Sequence, residues 1–116
     1  MIRVFAVDDS PFVRKVLRRV FAATPDIELV GEAATGPEAL ARIPDAQPDI
    51  VTLDVQMPGM SGLAVLRELL AVRPERRVIM LSVHTGEGAE ATLEALALGA
   101  ADFVDKQTVN LMDFEG

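Results

Sequence analysis

The 116-residue chain has no cysteine and one histidine, His84. The first absence excludes disulfides, thiol catalysis and cysteine-ligated metal, and a lone loop histidine is too little for a histidine metal cluster or a catalytic triad. No apolar run approaches the roughly 18 residues that a membrane-spanning helix needs. Asp8 and Asp9 cut the first apolar run short, so the N-terminus lacks the apolar stretch and cleavage site of a secretory signal. The cytosol is therefore the expected compartment, with no membrane partner. Positive charge is also scarce: eleven Lys and Arg stand against eighteen Asp and Glu, a net charge of −7. Phosphate backbones need a cationic footprint, so no direct nucleic-acid partner is expected. An acidic domain suits cations and basic partner surfaces. Half the residues are apolar and a quarter are charged, which is the balance of a soluble globular protein, and the length is that of one domain. The chain carries no internal repeat, linker or low-complexity segment.

Five short apolar runs, Ile2–Val7, Ile27–Val30, Ile50–Val55, Val78–Val83 and Ala100–Val104, are bounded by Asp, Gly or Pro and read as strands. Between them the period becomes helical. In Phe12–Phe21 apolar pairs alternate with Arg14, Lys15, Arg18 and Arg19, behind a Ser10 cap and Pro11 at the first helical position. A second helix is expected from Pro37 to Ile43, stopped by Pro44. Ser61 caps a third, with Leu63, Leu66, Leu69 and Leu70, that ends before Pro74. The fourth runs from about Gly88 to Leu98, with Leu93, Leu96 and Ala97 expected inward and Gly99 past its end. Strand and helix thus alternate at a spacing of roughly 22 to 28 residues, that of a right-handed βαβ crossover. The expected fold is α/β, a parallel sheet with helices on both faces. After the last strand only Gln107 to Gly116 remain, too few for a full closing helix. Either the chain is cut from something longer, or that face is covered otherwise.

Open parallel sheets bind ligands at the carboxyl ends of their strands. Those ends here carry Asp8-Asp9, Asp54, Ser82 and Asp105-Lys106. Two carboxylates at about 4 Å repel by about 4 kcal/mol at an effective dielectric of 20, so three in one cleft call for a cation or raised pKa values. Oxygen donors with no Cys and no nearby His select a hard ion, Mg²⁺ or Mn²⁺. Singly, each residue has a plainer explanation: Asp8-Asp9 as acids ahead of a helix start, Asp54 as a strand end, Lys106 as a solvated ammonium, Ser82 as a common strand-end residue. Their shared register promotes them.

Asp8-Asp9, Leu53-Asp54 with Met57-Pro58-Gly59-Met60-Ser61-Gly62, Ser82, and Asp102-Phe103-Val104-Asp105-Lys106 together resemble the receiver domain of two-component response regulators. The resemblance runs from residue 2 to about residue 107. The stretch from Ser82-Val83-His84-Thr85-Gly86-Glu87-Gly88 to Gly99-Ala100-Ala101-Asp102 is most similar to the chemotaxis methylesterase branch. It implies a single receiver domain over residues 1–116, cut near its C-terminal end, with a doubly wound, flavodoxin-like five-stranded sheet in the order 2-1-3-4-5 and a short or missing final helix. It also implies a phosphorelay switch rather than an enzyme with its own substrate. Asp54 would be the phospho-acceptor, with Mg²⁺ (or Mn²⁺) held by Asp8, Asp9, Asp54 and the backbone carbonyl of Gln56. Lys106 would pair with a phosphoryl oxygen, Ser82 would move to hydrogen-bond it, and Phe103 would be the aromatic switch residue. The expected partners are a sensor histidine kinase or histidine phosphotransfer protein, and a downstream effector controlled through the surface of the fourth helix and fifth strand. The family usually has Pro after the Lys, and here Gln107 follows, which bears on the loop around Lys106.

Two rival functions use overlapping residues. An aspartate-nucleophile phosphatase shares the Asp and the Mg²⁺ but needs a second acid two residues later, where Gln56 stands. A receiver regulating a methylesterase would need that effector outside this chain, which lacks Gly-x-Ser-x-Gly. Gly86-Glu87-Gly88-Ala89-Glu90-Ala91 matches a dinucleotide fingerprint in form, but that fingerprint belongs after the first strand. The basic residues of the first helix read either as a solvated face or as a docking surface for an acidic phosphotransfer bundle.

Overall fold

Five parallel strands form one sheet in the order β2-β1-β3-β4-β5, with a helix in each crossover. The computed structural model describes residues 1–82 and 87–105, apart from the side chains of residues 87–89, 91 and 92. The elements are β1 (Ile2–Val7), α1 (Pro11–Ala22), β2 (Ile27–Ala33), α2 (Gly36–Ala46), β3 (Ile50–Asp54), α3 (Gly62–Val72), β4 (Arg77–Ser82), α4 (Glu87–Leu98) and β5 (Asp102–Asp105). This is the expected doubly wound, flavodoxin-like arrangement. The reversal of strand order falls between β1 and β3, where Val7 is in register with Leu53.

The starts of α1, α2 and α3 are set locally. Ser10, Thr35 and Ser61 accept from the backbone amides of Val13, Glu38 and Ala64, satisfying donors that the first turn leaves open. At the end of α4 the Gly99 amide bonds the Leu96 carbonyl and the Ala100 amide bonds the Ala95 carbonyl. This Schellman pair requires a positive φ, and Gly99 supplies it at 119°.

Two expectations are corrected. Pro44 does not stop α2, which continues to Ala46 and ends on left-handed Gln47. A proline this late removes the hydrogen bond to the Leu40 carbonyl and crowds that carbonyl, in a helix with only two residues left to run. Ile43 is fully buried and Ala46 packs beside it, so the last turn is held by the core. In α4 it is Ala95 and Leu96 that face the core, while Leu93 is 68 % exposed and Ala97 is exposed too. Segment limits also move: β2 extends to Ala33, three residues past Val30, and β5 begins at Asp102 rather than Ala100.

Candidate functional site

The alternation of β1 and β3 decides which side chains meet. Ala6 is paired with Thr52, so the next residues on the same face at the strand ends are Asp8 and Asp54. One carboxylate oxygen from each of Asp8, Asp9 and Asp54 lies within 4.8 Å of the other two. Asp8 and Asp54 are buried, and Asp9 is exposed and opens the cluster to solvent. At that spacing each carboxylate pair repels by about 3 to 4 kcal/mol at an effective dielectric of 20.

Two local devices hold the buried carboxylates. Asp8 Oδ1 accepts the Ser10 amide at 2.8 Å, and Asp54 Oδ1 accepts the Gln56 amide at 3.3 Å. Both are Asx turns, in which a short acid fixes the backbone two residues on. A carboxylate has about four acceptor positions, so each keeps capacity for a further ligand. The donor set, three carboxylates on a partly open rim with no nitrogen or sulfur ligand among the described residues, fits a hard divalent cation that retains water.

The structure brings Asp8, Asp9 and Asp54 together as expected and puts Gln56 in the loop after β3, bonded to Asp54 through its amide. Ser82, 2 % exposed, ends β4 one residue beyond Leu81, the register partner of Asp54. Phe103 lies in β5 beside Met80 and packs against the main core, and Ser82 is in register with Asp105. Lys106, Gln107, His84 and the start of the Gly86–Ala91 fingerprint lie outside the described residues.

For two further residues the part played at the site is visible only in three dimensions. A Cβ on Gly62 would stand 1.9 Å from the Asp54 carbonyl oxygen and 2.9 Å from Val55 Cα, so only glycine lets α3 start against the strand that carries Asp54. The Gly62 amide closes the loop on the Val55 carbonyl at 2.9 Å. The second is Arg14: Arg14 Nη1 donates to the Asp8 carbonyl at 2.6 Å, and Arg14 Nε lies 3.6 Å from Glu32 Oε1. Arg18 Nε lies 3.0 Å from Glu32 Oε2. Part of the basic face of α1 is thus tied to β2.

Residues 4–112 match the family described as the response regulator receiver domain. The chain belongs to that family. The receiver is 53 % identical, over 105 residues, to a protein-glutamate methylesterase/protein-glutamine glutaminase of Symbiobacterium thermophilum; the match covers 90 % of this chain and 29 % of that protein. The crystal structure of the response regulator domain of Thermotoga maritima CheB superposes with a TM-score of 0.83 at 43 % identity, covering 91 % of this chain and 78 % of that one. A CheX–CheY complex with BeF3 and Mg²⁺ from Borrelia burgdorferi is similar at a TM-score of 0.79 and 31 % identity, over 98 % of this chain and 87 % of that one. The receiver therefore spans about 30 % of the length of the curated relatives it matches. Among the described residues, no helix is long and apolar enough to cross a membrane.

Proposed function

We propose that the receiver accepts a phosphoryl group on Asp54 from a phosphohistidine of a sensor kinase or histidine phosphotransfer protein, in the cytoplasm, in a reaction that needs Mg²⁺ or Mn²⁺. The observation that carries this reading is the meeting of Asp8, Asp9 and Asp54 at the carboxyl ends of β1 and β3, with two of the three buried. A carboxylate oxygen of Asp54 attacks phosphorus in line. The bond from phosphorus to the donor's imidazole nitrogen breaks, its electron pair stays on that nitrogen, and Asp54 becomes an acyl phosphate. Asp8 and Asp9 would hold the ion, with Asp54 and the Gln56 carbonyl as further ligands. Bound there, the ion would offset charge on the phosphoryl oxygens. Lys106 would pair with one of those oxygens, and Ser82 would hydrogen-bond another.

The switch follows from the same register. An acyl phosphate adds charge and acceptor oxygens next to the end of β4. Ser82 would follow them, and Phe103, across β4 from the site, would repack with it, biasing the surface of α4 and β5 between two states. The methylesterase relatives support an effector of that class under the control of this receiver, outside the described chain. Gln56, where an aspartate-nucleophile phosphatase needs its second acid, favours the receiver over that alternative.

The test is labelling with a small acyl phosphate donor in Mg²⁺, read as the intact-mass gain of one phosphoryl group. Wild type should be labelled and Asp54→Asn should not, with labelling lost on chelation. Label retained on Asp54→Asn would move the acceptor elsewhere.

A further inference from the structure

Arg14 stands at the end of the first turn of α1, where its amide makes the first helical bond, to the Ser10 carbonyl at 3.1 Å. A cation there opposes the helix dipole. It also lies beside the cluster of carboxylates to which the proposed function assigns another cation. Helical side chains lean toward the N-terminus, so Arg14 reaches back six residues to the Asp8 carbonyl. Its side chain is only 18 % exposed, and Nε lies against the Glu32 carboxylate near the end of β2. Arg18 holds the other oxygen of Glu32 at 3.0 Å. The guanidinium thus spans two strands, one edge on the turn between Asp8 and Asp9 and the other on Glu32. A lysine ammonium, a point charge on a flexible stem, could serve one of these groups at a time.

We infer that Arg14, anchored by Glu32, is a positioning residue that fixes the Asp8-Asp9 turn for cation binding. This rests on the proposed metal role of the three aspartates. Arg14 holds the Asp8 carbonyl, in the peptide before Asp9, and the Asp8 carboxylate holds the Ser10 amide, in the peptide after it, so the backbone is fixed on both sides of Asp9. Glu32 offsets part of the charge of Arg14 and Arg18, which reduces the repulsion between the orienting guanidinium and the incoming ion.

The sign of the effect separates this role from a purely electrostatic one. Were Arg14 only a nearby positive charge, its removal would tighten Mg²⁺ binding. As a positioning residue, its removal weakens it, by about tenfold on the scale of partners that orient metal ligands. The experiment is calorimetric titration with Mg²⁺ alone on wild type, Asp9→Asn, Arg14→Gln, Arg14→Lys and Glu32→Gln, with the melting temperature of each metal-free protein alongside. Arg14→Gln should bind about tenfold more weakly, Glu32→Gln a few-fold more weakly, and Arg14→Lys should fall between wild type and Arg14→Gln. Unchanged or tighter binding in Arg14→Gln, with Asp9→Asn still impaired, overturns the inference alone. Equal binding by wild type and Asp9→Asn overturns the metal reading beneath it. If Arg14→Gln does not fold, Arg14→Lys decides, because it keeps the charge and loses the planar fork: unchanged affinity overturns the inference, and weaker binding supports it.

Discussion

The two faces of the sheet are built from the same five strands and have different jobs. On one face Phe5 and Val7 of β1, Val51 and Leu53 of β3, and Val78 and Met80 of β4 meet Ala39 and Ile43 of α2, Val65, Leu66 and Leu69 of α3, and Ala95 of α4. Every one of those contacts is apolar. The other face offers Ala6 and Leu81 to Val13, Val16 and Leu17 of α1. Between them Thr52 is buried, followed at the rim by Asp8 and Asp54. Strand alternation permits this division: a residue's parity assigns it to the stabilising face or to the face whose polarity rises toward the rim. Buried charge is thereby kept out of the larger core, and the smaller one carries its desolvation cost next to solvent.

The sharpest test of that division is a deletion on the apolar face. Phe5 is 1 % exposed and lies three residues before Asp8. Phe5→Ala should cost about 3–5 kcal/mol in urea unfolding. Phosphorylation by a small donor, normalised to the folded fraction, should keep its wild-type Mg²⁺ dependence. A changed Mg²⁺ dependence would mean that the core shapes the site directly and that the faces do not divide the work.

Gly62 is where the two faces touch, because α3 packs on the apolar side while its first residue abuts the carbonyl of Asp54. Gly62→Ala forces backbone against Cβ, an overpacking that should cost about 1–3 kcal/mol. It should also slow phosphorylation, since the displaced group is the acceptor's own backbone. Stability loss with an unchanged labelling rate would show the faces to be independent even at this contact.

The site was readable from the chain because it is written in strand ends. An acid closing a β-branched run, as Asp54 closes Ile50-Val51-Thr52-Leu53, has its position set by a period of two, and parallel pairing then brings such ends together. What escaped depends on distance in the chain or on competing rules. Arg14 reads as part of a basic face because Glu32, its partner, lies eighteen residues on in another element. Pro44 reads as a stop because its cost is local, while the burial of Ile43 that outweighs it is tertiary. In Leu93-Glu94-Ala95-Leu96-Ala97-Leu98 nearly every position is apolar, so period alone could not choose the buried stripe. Packing chose Ala95 and Leu96.

The smallest expected effect comes from the polar face's own interior. Thr52 is 7 % exposed, and its Oγ1 has no hydrogen-bond partner among the described residues. A buried hydroxyl left unbonded costs about 1–3 kcal/mol, and valine has nearly the same shape without it. Thr52→Val should therefore raise stability by about 1 kcal/mol, seen as a higher urea midpoint at unchanged slope. Thr52 points to the same side as Asp54 but one layer deeper, so labelling of Asp54 should persist. A loss of stability instead would mean that the hydroxyl is satisfied, by ordered water for example. Polarity on this face would then reach below the rim as part of the support for Asp54, and the boundary between the stabilising and the chemical face would run one layer lower in the sheet.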